Sequence, residues 1–445
     1  MPQKRSSLVL ALIKQFLILF VAFTLLICAA VALPQNLIIG NSIDSIPEIQ
    51  AERAANDYRD NPNGWAAQTS TYTTAIMFSI MLHQDSKDLL RSSMDGAYYE
   101  TKGESFYKFD ENAQMPTNVV YAYYWHGWAP IIKPLLIFFN YAEIKRIFAA
   151  CLALGIIALT ALMGKQLEAI GWICAGAITV GIALLRGFET FFTLPYFFVF
   201  AVALLTACFI AYSWPRRNNG SKTWLYLTFF TAGAFTSYMD FLTTPLLTYA
   251  LPALCLIVLW ASSNHYEIPS KDAPQSPKSV VILIAFTGFA WLLGYVCLWA
   301  SKWVLASVIL GRNVIQEALD EIVFRAGISD QSQWVTVSNI SPLTALLNNI
   351  HAAFPYPILF LGVIFCFICF IWVFIKRPML NKSLIVGLLI IALLPYLWYI
   401  ATSNHSQIHY YFTCKNQIAT IAAVLIMGFH CLSAPTKASI TNTSS

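Results

Sequence analysis

The chain has 445 residues, 58% of them hydrophobic and 11% charged, with a formal net charge of +5. A water-soluble domain needs roughly 25% charged residues to cover its surface. An ordinary soluble enzyme is therefore excluded, and an all-α polytopic membrane protein is expected, with residues 1–445 read as a single integral membrane domain.

The first apolar run, 8–33, follows a basic start. It exceeds the apolar region of a secretory signal, about 7–15 residues, and is expected to stay as the first span. Further runs at 147–164, 169–185, 193–213, 223–239, 245–261, 280–300, 357–375, 383–401 and 416–432 predict about ten transmembrane helices. All ten cysteines except Cys414 fall in or at the ends of such runs, where cysteine packs as a small hydrophobe. Neither a disulfide framework nor a metal site follows from them.

Lys4, Arg5, Lys165, Arg216, Arg217, Lys222, Lys271, Lys278, Lys376, Arg377 and Lys382 fall on the N-terminal side of the spans, against Arg186 and Lys415 in short loops opposite. Positive loops stay inside, so both termini are expected in the cytoplasm. Of the acids only Glu168, Glu267 and Asp272 share that side. Two long outer segments result, 35–145 and 301–356. No GxxxxGK[ST], HExxH or GxSxG run is present, which argues against nucleotide-driven chemistry inside.

The first outer loop begins polar and acid-rich at 42–64, with Asp44, Glu48, Glu52, Asp57 and Asp60. Residues 71–94 read as a helix lying on the membrane surface. Across 119–141, VVYAYYWHGWAPIIKPLLIFFNY, the residues Tyr121, Tyr123, Tyr124, Trp125 and Trp128 read as an aromatic belt at headgroup depth. Pro130 and Pro134 would interrupt a spanning helix there. In the second outer segment, 313–327 has an amphipathic helical pattern, and SPLTALLNNIHAAFPYP follows with His351. Both read as cover for an outer cavity.

One span, two interfacial stretches and then a run of spans resembles the architecture of the GT-C superfamily of polytopic glycosyltransferases. Its members include protein O-mannosyltransferases, the lipid A aminoarabinose transferase and oligosaccharyltransferases. YWHGW…KPLL, YMDFLTTP and NHSQIHYYFTCK also resemble a group of bacterial membrane proteins from surface-polysaccharide gene neighbourhoods. The resemblance implies a glycosyltransferase in the bacterial plasma membrane. It would move a sugar from a polyprenyl-phosphate donor to an extracytoplasmic glycan or lipid-linked acceptor. It also implies a catalytic acid soon after the first span, in some members paired with a second acid and a divalent metal. Here Asp44 is followed by Ser45, so the acidic pair is missing and metal dependence stays open.

Within that frame Asp44 is the candidate base, taking the acceptor hydroxyl proton; the plainer reading is a solvated acidic loop. His126 and Lys133 could meet a sugar or phosphate, or serve as interfacial anchor and snorkelling lysine. Arg186 and Glu189, three apart, could bind and orient a donor phosphate or simply neutralise each other. Asp240 could be an alternative acid or a helix cap. Asn404, His405, His409, Thr413 and Lys415 offer donors suited to phosphate, against the alternative of a polar inter-span loop. A His405–His409 zinc site would need further ligands. Two rival functions remain: a transporter or flippase for lipid-linked glycan precursors, and a non-catalytic subunit of a glycan-assembly complex.

Overall fold

The computed structural model describes residues 2–56, 71–99, 117–217, 222–239, 242–262, 276–331, 336–337 and 339–435. Asp57, Asp60, Asp240, Glu267, Lys271 and Asp272 lie outside them. The chain opens with α1 (Pro2–Ala32), α2 (Ile39–Asp44) and α3 (Ile46–Asn56), then α4 (Thr71–His83) and α5 (Leu89–Asp95). A two-residue antiparallel ladder, β1 (Ala97–Tyr98) on β2 (Val119–Val120), leads to α6 (Ala129–Leu135). There follow α7 (Tyr141–Leu184), α8 (Gly187–Thr190), α9 (Leu194–Arg217), α10 (Thr223–Met239), α11 (Leu247–Ser262) and α12 (Pro277–Leu310). The chain closes with α13 (Val314–Arg325), α14 (Pro342–Ala353), α15 (Tyr356–Lys376), α16 (Lys382–Ala401), α17 (Ser403–Ile408), α18 (Tyr410–Thr413) and α19 (Ile418–Ser433).

The architecture is that of an all-α integral membrane protein. Among the described residues seven helices are long and apolar enough to cross a membrane: Ser7–Ala32, Tyr141–Leu184, Leu194–Arg217, Pro277–Leu310, Pro357–Lys376, Lys382–Ala401 and Tyr410–Ser433. All ten apolar runs of the sequence are helical. α7, at 44 residues, would measure about 66 Å if straight, twice a bilayer core. It is not straight. Glu168 takes φ 50° and ψ −125°, and a Cβ added to Gly171 would lie 2.0 Å from the carbonyl oxygen of Met163. Residues eight apart can touch only if the chain reverses, so α7 is a hairpin whose arms correspond to the runs at 147–164 and 169–185.

α10 and α11 have 17 and 16 residues and are not among the seven. α11 is buried on nearly every side, as expected of a helix apolar all round at the centre of a bundle. α10 and α12 touch backbone to backbone. A Cβ on Gly233 would lie 1.9 Å from the Trp291 oxygen, and one on Gly294 2.0 Å from the Phe230 oxygen. Membrane helices pack through small residues in this way because lipid supplies no hydrophobic drive between them.

The first loop differs from expectation. The 71–94 stretch forms two helices rather than one, and α4 is buried along most of its length. Its apolar residues point all round, so it has no single face to lay on headgroups. The aromatic belt is likewise turned inward. Tyr123, Tyr124, Trp125 and Trp128 are buried, and the Trp125 donor and the Tyr123 backbone oxygen are used inside the protein. Trp125 Nε1 donates to the Leu298 oxygen (2.8 Å), while Trp299 and Trp303 Nε1 donate to the Tyr123 oxygen (2.7 and 3.1 Å). The acid-rich stretch is partly structural too. Lys145 pairs with both Glu48 and Glu52, and Tyr141 Oη donates to Glu52 (2.8 Å), fastening α3 to the start of α7.

The α10–α12 contact gives a test. Gly233→Val or Gly294→Val should force the helices apart and lower the thermal midpoint in detergent, with a cost of about 1–3 kcal/mol or more. Gly176→Ala, which meets nothing within 4 Å, should not. Equal tolerance of all three changes would show that the close crossing is not required.

Candidate functional site

Three segments distant in sequence meet at one end of the bundle: Tyr121–Tyr124 after β2, the C-terminal turn of α13, and the stretch 403–413. α13 starts at Asn313, whose side chain caps Gln316 N (3.1 Å). At its far end the Ile322, Val323 and Phe324 oxygens accept from the backbone N–H groups of Ala326, Ile328 and Gly327, and side chains from a remote segment add to these bonds. Asn404 Nδ2 donates to the Phe324 oxygen (2.9 Å) and Ser403 Oγ to the Ala326 oxygen (3.0 Å). This capping from 80 residues away fixes Arg325, which lies between the two capped carbonyls.

Arg325 Nε donates to Glu321 Oε1 (2.5 Å), and Nη1 meets His405 Nδ1 (2.6 Å). His405 Nε2 lies 2.8 Å from the Leu242 oxygen. A carbonyl can only accept, so Nε2 carries the proton and Nδ1 offers a lone pair to the guanidinium. His405 is thereby the neutral tautomer. Burial, then the charge of Arg325 and the neighbouring His409, hold its pKa well below the usual histidine value. The rings of Tyr121, Tyr123 and Tyr124 lie 4.9–5.0 Å from one another beside this group. Burial pushes the Tyr121 phenol up to about 12, so it is a neutral hydroxyl at physiological pH. Burial alone would weaken the proton affinity of Arg325, but the acidic groups around it, of which Glu321 is the one charged near neutrality, outweigh that and its pKa is raised.

A guanidinium has five N–H groups. Nε and one N–H of Nη1 are used; among the described residues the Nη2 pair makes no hydrogen bond. The buried Tyr123 hydroxyl and Asn404 Oδ1 also have no hydrogen-bond partner of normal geometry there. Arg325, Tyr123 and Asn404 thus each bring a polar group without a hydrogen-bond partner among the described residues to the neighbourhood of the cluster. That combination suits a ligand carrying both an anion and a hydroxyl.

Of the residues singled out in the sequence, Asn404, His405 and His409 join this group. The His409 ring lies 4.8 Å from the His405 ring, tilted by 53°, and its Nδ1 lies 2.9 Å from Tyr411 Oη. Lys415 is buried and donates to the Leu185 oxygen (2.7 Å), beside Arg186 and Glu189, which pair with each other. Thr413 Oγ1 donates to Asn349 Oδ1 (2.6 Å), tying the segment to α14. His126 sits under Gly96 with its backbone in the left-handed region, its Nε2 3.0 Å from the Tyr121 oxygen. Burial and Lys302 lower its pKa to about 3, so it orients Tyr121 as a neutral ring. Asp44 is exposed at the end of α2, an element that packs on α3 and α7 rather than on α13 or α17. Among the described residues no three histidine, cysteine, aspartate or glutamate side chains group as a metal site would require.

The sequence reading missed Glu321, Arg325 and Lys302. A Glu–Arg pair four apart had only the appearance of a surface ion pair. Lys302, a lone charge in an apolar helix, was a detectable signal. It is buried and donates to the Ser93 and Met94 oxygens (3.1 and 3.0 Å), holding the end of α5.

Lys133 is fully buried, with Gln84 Oε1 at 3.0 Å, and burial lowers its pKa to about 8. A folded-state pKa below the unfolded value, about 10.5, means that the unfolded chain holds the proton more tightly. The penalty is full below pH 8 and fades as pH rises. Whatever offset the lost Gln84 bond brings, the stability of Lys133→Met relative to wild type should fall between pH 8 and pH 10 in thermal melts. A constant difference would refute a charged, buried Lys133. In comparisons with known proteins, no family model, no curated protein and no solved structure matches this chain.

Proposed function

We propose that this protein is a membrane-embedded glycosyltransferase that takes a sugar from a polyprenyl-phosphate donor and passes it to an extracytoplasmic glycan or lipid-linked acceptor. The observation that carries the reading is the open part of the Arg325 cluster. Nη2 and the Tyr123 hydroxyl can donate to a phosphate, and Asn404 Oδ1 can accept from a sugar hydroxyl. The apolar outer faces of the surrounding helices offer a surface for a polyprenyl chain, and exclusion of water would limit hydrolysis of the donor. The segment order and the motifs resembling GT-C enzymes support the same reading. In it α10 and α11 are counted as spans, making about ten, with both termini in the cytoplasm of a bacterium and the cluster outside.

Asp44 is the base in this scheme, receiving the proton of the attacking hydroxyl, which requires the bound sugar to reach from the cluster toward α2. Its exposed position on α2 favours a second reading, in which the protein binds or moves a lipid-linked glycan without catalysing transfer.

The test is release of polyprenyl phosphate from a panel of polyprenyl-phosphate sugars by purified protein with an acceptor extract. Arg325→Gln should lower turnover by about 100-fold or more, the scale seen when one charge-stabilising donor is removed. Asp44→Asn should abolish it. Lipid binding without turnover by the wild type would favour the second reading.

A further inference from the structure

We infer that Glu321 is a resident counter-charge that makes the cluster hold the singly charged donor more tightly than the doubly charged product, and so promotes product release. This rests on the reading of the cluster as a phosphate site. In the transfer, the acceptor hydroxyl oxygen bonds to the anomeric carbon as the bond from that carbon to the phosphate oxygen breaks. The bonding pair leaves with the phosphate, and the hydroxyl proton passes to the general base. The donor is a phosphodiester with one negative charge. The product is a phosphomonoester, whose second pKa is about 6, so above neutrality it carries close to two.

The geometry makes the cluster sensitive to that difference. Glu321 Oε1 occupies Nε of Arg325, and the open N–H pair is on Nη2 of the same planar cation. A phosphate taking Nη2 would share one positive charge with a carboxylate that is only 6% exposed and hence poorly screened by water. His405 adds no second positive charge, because its Nδ1 must be a lone pair to meet the guanidinium while Nε2 donates to Leu242. Glu321 also keeps the fork aimed, with Nη2 open, so its oxygen and its charge have separable roles. Glu321→Gln retains the oxygen and removes the charge.

The experiment is a binding titration at pH 8, in nanodiscs, of farnesyl phosphate and of its methyl diester. The full-length wild type should bind the diester about tenfold more tightly than the monoester, a ratio expected from one extra charge repelled at short range in a partly buried site. Glu321→Gln should tighten the monoester and reduce the ratio to near one. A wild type that binds the monoester as well as the diester overturns the inference, even if the variant fails to fold. So does a ratio unchanged in Glu321→Gln, while in both cases phosphate recognition by the cluster stands. If the wild type binds neither lipid, the reading of the cluster itself fails and takes the inference with it.

Discussion

The last turn of α13 is tied to the 403–413 stretch by side-chain donors that add to its own backbone bonds. Ser403 and Asn404 supply those donors, and much of the site's arrangement follows from that pairing. Capping brings the 403–413 stretch against α13, and the approach is close enough that a Cβ on Gly327 would lie 2.2 Å from Ser403 Oγ. It sets Arg325 beside His405, and His405 in turn reaches back to the Leu242 oxygen at the head of α11. Asn349 on α14 joins the same web by donating to the Ser406 oxygen (2.8 Å) while accepting from Thr413. Most polar groups of the stretch thus hold backbone in place, and a few remain open.

That division clarifies what a polar loop between membrane helices is for. An unpartnered polar atom in a low-dielectric site is costly, so most are expected to be spent on structure. The remainder gain meaning from their rarity. Lys415, which in isolation resembles a phosphate ligand, is occupied by the Leu185 oxygen. Arg325, which resembles a surface residue, keeps its Nη2 donors without a hydrogen bond among the described residues.

The helices were legible in the sequence because a bilayer demands long apolar runs whatever the protein does. The reversal within α7 was legible as well, through the polar break at Lys165–Glu168. The tyrosines and tryptophans of 121–128 were misplaced for a physical reason. An apolar ring with one polar atom suits a headgroup layer and an internal seam equally, and the partner that decides, the indole of Trp299, lies 176 residues from Tyr123. Arg325 was overlooked because its burial comes from a cap on a remote segment, which no local pattern records. Asp44 could be named from the resemblance, but its exposure could not be read from NSIDSIPEI.

α12 carries a mechanical consequence. Its 34 residues make a rod about 50 Å long, well beyond the hydrocarbon thickness of about 30 Å. Its middle is clamped against α10 at Gly233 and Gly294, while its C-terminal part carries the Trp299 and Trp303 bonds to Tyr123 and leads through 311–313 into α13. A tilt of roughly 5° about its middle would move its tip by roughly 2 Å, comparable with the margin between a made and a broken hydrogen bond. Helix tilt responds to bilayer thickness only within the limits that packed neighbours set, so the α10–α12 crossing shields the tyrosines and the arginine from the surrounding lipid.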